Sequence, residues 1–376
     1  MPELTSPQDV EDFIRGADFL SANGGGEPIE ERERLLADLE SGMTLGWSPL
    51  EDFAEDALIC TAAFSGSIAP EAMERRGIDA AIVQGQKVER PLVAAIEALE
   101  REIKRPIDGL ISIEIGGSNV GAILDAAAVT GKRLMDADYA GRAIPELGAT
   151  TLDLYGVPVL PEAFADDFGN ELITRRAASN GFAERISKFL AKSSFGVIAS
   201  ALAALPAKTV SEISVPGTLS ECLALGRAIR LAREAGSDPV AAAAGALDGW
   251  VLFRGQIAER TWENTEYLEG YHTIAGVNDY APHTMKLWFK NENHLSWIDG
   301  EPYVASPDLL EVCDAETAQP LSNTYLKVGD RVAVVGMRRR DVWDSEQALQ
   351  SLGPPRFGWH QFPFRPIEDL VTLDTN

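Results

Sequence analysis

Residues 110–136 have the sequence LISIEIGGSNVGAILDAAAVTGKRLMD, which predicts a strand, a loop, a helix and a second strand. The apolar run 110–115 is typical of a buried strand, and Gly116 and Gly117 end it. The Ala-rich residues 120–129 predict a helix, and residues 132–136 predict the returning strand. Two strands joined by a helix usually lie parallel in one sheet, so this unit predicts an α/β domain.

The rest of the chain up to residue 246 continues this alternation. Apolar residues recur at helical spacing or in short runs. These patterns predict helices at residues 7–20, 30–39, 92–103, 183–204 and 218–234, and strands at residues 57–63 and 80–83. A capping box, formed by Thr218 and Glu221, marks the start of the last helix. Residues 1–246 are therefore assigned to an α/β domain with a mostly parallel sheet.

The composition changes after residue 247, where Trp, Tyr, Thr and Val become more frequent and Gly separates short segments. Such segments are typical of strands at hairpin spacing. They lie at residues 250–253, 284–289, 303–305, 309–312 and 331–335. Residues 247–345 are expected to form a β-rich domain. Residues 346–376, rich in Pro and Gly, are expected to form an extended tail that packs back on the α/β domain.

Charge and cysteine usage restrict the partners and the compartment. The chain has 33 Lys and Arg against 58 Asp and Glu, a formal net charge of −25, which repels nucleic acids and anionic membranes. Cys60, Cys222 and Cys313 lie far apart, which argues against a cysteine zinc site and favours a reducing compartment. We expect no signal peptide and no membrane span. The expected location is the cytoplasm.

The densest group of polar residues follows the two strands of residues 110–136. Glu114 lies near the end of the first strand, and Asp136 and Asp138 follow the second. Ligands bind beyond the carboxyl ends of strands in an open parallel sheet, so we expect these carboxylates at one site, followed by Arg142 and Glu146. They could act as general acid or base, or bind a divalent metal through Asp136 and Asp138. Alternatively, they pair with Arg142 and only stabilise the loop.

Two glycine clusters are candidates for ligand-binding loops. Gly24 and Gly25 begin a triplet that follows a helix, and Gly116 and Gly117 follow a strand, but neither cluster has the GxGxxG pattern. The sequence therefore predicts neither NAD nor a P-loop nucleotide. Asn119 is expected to cap the helix that follows the second cluster.

Several motifs, in order along nearly the whole chain, resemble one known family. They are Asp18-Phe19-Leu20-Ser21 with the glycine triplet, Glu114-Ile115-Gly116-Gly117-Ser118-Asn119, Asp136-Ala137-Asp138 through Glu146, Phe168-Gly169-Asn170, Asn291-Glu292-Asn293, Pro307-Asp308-Leu309 and Gly353-Pro354. The chain resembles the bacterial and archaeal family named for S-methyl thiohydantoin desulfurase, which is often linked with hydantoinase and oxoprolinase proteins. It departs from the family pattern at Asn23, where a glycine is expected, and at Ser65-Gly66-Ser67.

The resemblance implies a three-layer α/β/α domain, a C-terminal barrel-like domain and a hydrolase of a thiohydantoin or hydantoin-type ring. Glu114 or Asp138 would take a proton from the attacking water, and Arg142 would help to hold the ring. The alternative is a non-catalytic subunit or small-molecule-binding partner of a hydantoinase-type or oxoprolinase-type enzyme. A homo-oligomer or such a partner enzyme is expected. The candidate substrate-binding residues are Asn23, Gly24, Gly25, Gly116, Gly117, Asn119, Gly169, Asn170 and Glu292.

Overall fold

A computed structural model describes residues 2–25, 28–66, 88–264 and 267–373, so the strand predicted at residues 80–83 lies outside the described residues. The chain divides into two compact units. Unit 1 comprises Met1–Val10, Pro28–Ala140 and Glu146–Ser220. Unit 2 comprises Glu11–Glu27, Gly141–Pro145 and Glu221–Asn376.

Helices and strands alternate in the first half of the chain, and strands predominate later. The described helices are α1 Pro7–Phe19, α2 Ile29–Glu40, α3 Pro91–Ile103, α4 Gly117–Thr130, α5 Thr151–Leu154, α6 Asn180–Ser193, α7 Ala207–Ile213, α8 Thr218–Ala235, α9 Pro239–Ala246, α10 Glu346–Leu352 and α11 Ile367–Leu373. The described strands are β1 Glu3–Leu4, β2 Leu45–Gly46, β3 Leu58–Gly66, β4 Gly109–Ile111, β5 Arg133–Leu134, β6 Ala137–Asp138, β7 Glu162–Ala165, β8 Glu171–Thr174, β9 Val197–Pro206, β10 Val215–Pro216, β11 Trp250–Asn264, β12 Leu268–Gly276, β13 Thr284–Lys290, β14 Glu292–Ile298, β15 Glu301–Ala305, β16 Leu309–Asp314 and β17 Arg331–Met337. None of the described helices is both long and apolar enough to cross a membrane.

The main sheet of unit 1 has six strands in the order β5-β4-β3-β9-β7-β8. Strands β3, β4 and β5 are parallel, and β4-α4-β5 is the strand–helix–strand unit predicted from residues 110–136. Strands β9, β7 and β8 extend the sheet in antiparallel order. The α/β class is confirmed, and the sheet is mixed.

Helices pack on the sheet through small and branched apolar side chains. Ala183 of α6 shares a buried core with Ile59, Ala63 and Ile111 of the parallel strands. Helix α4 packs against β3, β4 and β5. It ends at Gly131, whose φ of 67° is left-handed, and the chain turns there into β5.

The helix predicted at residues 183–204 is wrong in its second half. Helix α6 ends at Ser193, and Phe195 and Gly196 both have positive φ, which interrupts the helix. Strand β9 follows and lies between β3 and β7. Its Ala-rich run is buried inside the sheet, and a short apolar run of this kind does not by itself distinguish a buried strand from a helix.

The sheet of unit 2 has seven antiparallel strands in the order β15-β14-β13-β12-β11-β17-β16 and curls into a half-barrel. All five predicted strand segments lie in it, and β12 and β14 were not predicted. Residues 346–376, predicted as an extended tail, include α10 and α11. The Ser345 side chain caps α10, and Ile367 and Leu370 of α11 join the core of this sheet.

Candidate functional site

Glu114 lies in the loop that follows β4, and its side chain is held in place. The strand ends at Ile111, and the Ser112 hydroxyl donates to the backbone carbonyl of Glu114 at 2.7 Å. The side-chain amide of Asn119 donates to Glu114 Oε1 at 2.7 Å. Asn119 Oδ1 in turn accepts from the N–H of Phe64 in β3, at 2.9 Å. Asn119 therefore ties the Glu114 carboxylate to the neighbouring strand, and Gly116 occupies the N-cap position that was predicted for Asn119.

The start of α4 lies next to Glu114 in the chain. Gly116 is extended, and no side chain caps the helix. A Cβ atom on Gly117 would lie 2.7 Å from Cγ of Pro28, so this close approach requires glycine. The first backbone N–H groups of a helix have no partner within the helix, and they carry partial positive charge. They can therefore donate to a carbonyl or an anion of a ligand.

Asp138 lies in the segment that follows β5. Strand β6 pairs with β10, with Asp138 opposite Val215. The Asp138 side chain is fully buried, and its Oδ2 accepts from the N–H of Ala140 at 2.8 Å. The Tyr139 N–H donates to the Ile113 carbonyl at 3.3 Å. The backbone segments that carry Glu114 and Asp138 therefore run side by side, because each residue adjoins one end of that hydrogen bond.

Asp136 caps α8. Its Oδ1 accepts from the N–H groups of Leu219 at 2.9 Å and Ser220 at 3.1 Å, and its Oδ2 accepts from the Ser220 hydroxyl at 2.5 Å. The predicted capping box of Thr218 and Glu221 is therefore wrong, because Asp136 caps the helix instead. The Thr218 hydroxyl is buried and has no hydrogen-bond partner in the described part of the chain, and Glu221 pairs with Arg340. A carboxylate at a helix start satisfies the free N–H groups and interacts favourably with the helix dipole.

A metal ion on Asp136 and Asp138 stays a prediction. Both oxygens of Asp136 accept hydrogen bonds from the start of α8. Within residues 2–25, 28–66, 88–264 and 267–373, no group of three or more His, Cys, Asp or Glu side chains is arranged to hold a metal. Glu146 precedes a short 3-10 helix, Leu147–Ala149, and its carbonyl accepts from the N–H of Ala149 at 2.9 Å.

Gly169 and Asn170 form the turn between β7 and β8. The Asp166 carboxylate accepts from the N–H groups of Phe168 at 3.0 Å and Asn170 at 2.9 Å, which is an Asx-type turn. It also accepts from the Asn170 side chain at 2.8 Å and from the Ser194 hydroxyl at 2.9 Å. Gly169 has a φ of 85°, in the region that favours glycine. These contacts give both residues a role in shaping the hairpin.

Asn23 lies in unit 2, where its side chain links the loop after α1 to the sheet. Its Nδ2 donates to Glu311 Oε1 at 3.0 Å and to the carbonyls of Val312 and Leu321, each at 2.6 Å. Its Oδ1 accepts from the Val312 N–H at 2.7 Å and from the Asn293 side chain. The backbone φ of 66° suits Gly or Asn, which explains how Asn can replace the glycine of the family pattern.

Gly24, Gly25 and Glu292 lie together in unit 2. A Cβ atom on Gly24 would lie 2.0 Å from Glu292 Oε1, so a larger residue at this position would require the Glu292 carboxylate to move. Gly25 has a φ of 73°, and Glu292 is buried. The loop is therefore closed over by the buried carboxylate of Glu292.

Arg142 also lies in unit 2, and its guanidinium is buried. It donates to the carbonyls of Ala143 at 3.2 Å, Asn293 at 2.8 Å and Asp308 at 3.4 Å. These contacts join the segment 141–145 to the sheet of the same unit. They give Arg142 a structural role within unit 2, in which its guanidinium binds backbone carbonyls.

The structure thus distributes the predicted residues over its two units. Unit 1 holds Glu114, Gly116, Gly117, Asn119, Asp136, Asp138, Glu146, Gly169 and Asn170. Unit 2 holds Asn23, Gly24, Gly25, Arg142 and Glu292. Within unit 1, Glu114 and Asn119 are joined by a hydrogen bond beside the start of α4, and Asp138 lies on the adjacent segment.

A buried carboxyl group outside the predicted set is Glu162 in β7. Its side chain is 1% exposed, and burial raises its pKa to about 8, with a further increase from the charge of Glu184 and a decrease from a hydrogen bond with Ser200. The group is therefore mostly protonated at neutral pH. No sequence pattern indicated this, because a single Glu at the start of a short strand does not reveal that the strand is covered.

An open cleft of about 470 Å³ lies on unit 2 and contains none of the predicted residues. It is lined by Trp297, Pro302, Gly358, Trp359, His360, Gln361, Phe362 and Pro363. It has no carboxylate among its lining residues.

Two family models match consecutive parts of the chain and together cover nearly all of it. The model of the S-Me-THD-like N-terminal domain matches residues 8–176, and that of the S-Me-THD-like C-terminal domain matches residues 178–367. A crystal structure of a protein from Chromobacterium violaceum is similar, with a TM-score of 0.77 and 21% sequence identity over 98% of this chain and 100% of that chain. This likeness shows the shared fold. No curated protein matches the sequence.

Proposed function

The chain belongs to the S-Me-THD-like family, and we propose that it hydrolyses S-methyl thiohydantoin or a closely related hydantoin-type ring. The observation that carries the proposal is the oriented carboxylate of Glu114, which lies three residues before the uncapped start of α4. A carboxylate that is held by an amide can act as a general base. The adjacent N–H groups can stabilise negative charge that develops on the ring.

The proposed reaction adds water to the ring carbon that carries the S-methyl group. Glu114 removes a proton from the water as its oxygen forms a bond to that carbon, and the electron pair of the C=N bond moves to the ring nitrogen. The electron pair on the ring nitrogen then re-forms the C=N bond as the C–S bond breaks, and the departing sulfur takes the proton from Glu114 to give methanethiol. The ring is left as a C–OH tautomer, and transfer of that hydroxyl proton to the ring nitrogen gives the hydantoin.

The residues around Glu114 have distinct roles in this proposal. The N–H groups of Gly117 and Ser118 at the start of α4 would bind the polar edge of the ring. Asn119 positions the base, because its amide joins Glu114 to β3. Asp138 is fully buried, so we assign the base to Glu114, which retains 7% exposure. Asp136 and Arg142 support the fold through their backbone contacts.

A substrate panel tests the proposal directly. S-methyl thiohydantoins, thiohydantoins and hydantoins are incubated with the protein, with and without added Mg²⁺, Mn²⁺ or Zn²⁺, and ring absorbance and thiol release are followed. We expect methanethiol from the S-methyl compounds and loss of its release in Glu114→Gln. Binding of a ring without turnover under every condition would contradict the hydrolase and support a ligand-binding subunit.

We also propose that the protein works in the cytoplasm. All three cysteines are buried and free. Free thiols are typical of a reducing compartment.

A further inference from the structure

We propose that helix α6 of one copy of the protein packs against helix α2 of a second copy, which would make the protein self-associate. The two helices present exposed faces with complementary patterns of apolar and charged residues. Both helices lie wholly in unit 1. The proposal is independent of the hydrolase function.

Helix α6 has an exposed apolar stripe next to positive charges. Phe182 is 56% exposed and Phe189 is 69% exposed, one at each end of a seven-residue repeat that places both on one face. Ile186 lies between them and is half-buried. Arg185 and Lys192 are exposed and repeat with the same spacing.

The surroundings of this stripe are basic in a chain that is otherwise strongly acidic. Residues 175–194 contain five Arg or Lys residues and one Glu, whereas the whole chain has 33 Lys and Arg against 58 Asp and Glu. The inner face of α6 consists of small side chains, Ala183, Ser187 and Ala191, that are buried against the sheet. The aromatic residues therefore point away from the core of unit 1. The basic charges beside them would attract an acidic surface to this outer face of α6.

Helix α2 supplies such a surface. Ile29 is 56% exposed, and Leu36, seven residues later, is half-buried. Glu33 and Glu40 are exposed, and they too are seven residues apart. The inner face of this helix is fixed by Leu35 and Asp38, which are buried.

The two patterns match in an antiparallel helix pair. Suppose that Leu36 lies opposite Phe189. In an antiparallel pair, Glu40 then lies opposite Arg185, because each is about four residues from this central contact. Glu33 lies opposite Lys192, because each is about three residues from it on the other side. The repeats are about 10.5 Å long on both helices. The pairing buries Leu36 against Phe189 and puts an opposite-charge pair on each side of this contact, which is the usual arrangement of helix-to-helix contacts. In this register Phe182 extends beyond the end of α2, and Ile29 extends beyond the end of α6. Two copies of α6 would instead repel each other.

Sedimentation velocity over a range of protein concentrations at low ionic strength tests the contact. We expect the wild type to exceed the monomer mass and to dissociate as salt is added. Arg185→Glu with Lys192→Glu should be monomeric, and so should Glu33→Lys with Glu40→Lys. An equimolar mixture of the two double variants should associate again, because the acidic α6 of one now meets the basic α2 of the other.

A matched control separates the contact from the change in net charge. Lys327→Glu with Arg331→Glu makes the same charge change at two exposed positions of unit 2 and should associate like the wild type. Circular dichroism checks that each variant is folded, and if one double variant fails to fold, the other still decides the question. A wild type that is monomeric throughout would overturn the proposal. Association that survives both double variants, or binding of the wild type to anionic vesicles without self-association, would also overturn it.

Discussion

The side-chain amide of Asn119 joins the carboxylate of Glu114 to the backbone N–H of Phe64, so one residue at the start of α4 connects the loop after β4 to strand β3. The amide donates to Glu114 at 2.7 Å and leaves its own oxygen for Phe64 at 2.9 Å. An amide side chain can make these two contacts at once because it carries a donor and an acceptor. The orientation of the proposed base therefore depends on a neighbouring strand.

Replacing Glu114 with Gln should abolish turnover and leave the fold almost unchanged. The amide keeps the shape of the side chain and a hydrogen bond to Asn119 but cannot accept the proton of the attacking water. Loss of a general base lowers kcat by about 10²–10⁴-fold. Single-turnover thiol release and thermal melting of the same preparation measure both effects. Asp138→Asn serves as the comparison: if it alone removes activity while Glu114→Gln does not, the base is Asp138.

Replacing Asn119 with Asp should move the pH dependence of kcat/KM. The new carboxylate would face Glu114, and a like charge at this distance raises the pKa of its neighbour. Because the base must be deprotonated to act, the acidic limb of the profile should shift to higher pH. A profile that loses amplitude without any shift would indicate that Asn119 only stabilises the loop. Asn119→Gln, which retains the amide, is the matched control.

Asp136 should contribute to stability, and its substitution separates capping from chemistry. Asp136→Ala removes the acceptor for the first N–H groups of α8 and should cost about 1–2 kcal/mol, whereas Asp136→Asn should retain most of the cap. Turnover per folded molecule should stay near the wild-type value in both variants. Loss of turnover in Asp136→Asn at an unchanged melting temperature would contradict this and would support the metal hypothesis, which chelation with EDTA would then test.

The local sequence pattern predicted those parts of the fold that depend on short-range information. The order of strand, loop, helix and strand in residues 110–136 was predicted correctly, because the apolar runs, the glycines and the Ala-rich helix all indicate the same structure. The predicted end of the first strand was wrong, since β4 ends at Ile111 and not at Ile115, which places Glu114 in the loop. Residues 197–206 were mispredicted because an Ala-rich apolar run suits both a helix and a central strand. Their position between β3 and β7 decides the outcome, and that position is a tertiary property.

The candidate site was predictable in position more than in detail. The location of Glu114 follows from the rule that ligands bind beyond the carboxyl ends of parallel strands. The partner of Asn119 did not follow from sequence, because Phe64 is 55 residues away. The same reason applies to Asn23, whose contact with Glu311 joins residues 288 positions apart. The sequence pattern around Asp136 indicated chemistry or a pair with Arg142 but not a helix cap, because the capping contact requires α8 to begin beside it.

Asn23→Gly should destabilise unit 2 even though it restores the residue of the family pattern. Glycine accepts the left-handed φ of 66°, so the backbone would be unstrained, but Glu311 and Asn293 would lose buried hydrogen bonds. Each buried polar group left without its partner costs about 1–3 kcal/mol. Asn23→Ala loses the same bonds and adds the strain of a left-handed alanine, so it should melt lower still. Equal melting temperatures for the wild type and Asn23→Gly would refute this role for the side chain.

Glu162 should make the stability of the protein fall as the pH rises through neutrality. Its pKa is about 8 in the folded state against 4.5 without burial, so between these values the folded protein binds a proton that the unfolded chain does not. The contribution of Glu162 to the free energy of unfolding is therefore fully present below pH 4.5 and is lost as the pH rises towards 8. The slope over this interval is about 1.4 kcal/mol per pH unit.

Glu162→Gln isolates this contribution, because the amide resembles the protonated acid and does not titrate. The free energy of unfolding, measured with urea at pH 6, 7 and 8, should decrease with pH less steeply in Glu162→Gln than in the wild type. His272 acts in the opposite direction, because burial lowers its pKa to about 4. Its contribution to the free energy of unfolding is present above pH 6.5 and is lost as the pH falls below that value. That contribution is common to both proteins and cancels in their difference. Parallel pH profiles for the two proteins would show that Glu162 is not protonated in the folded state.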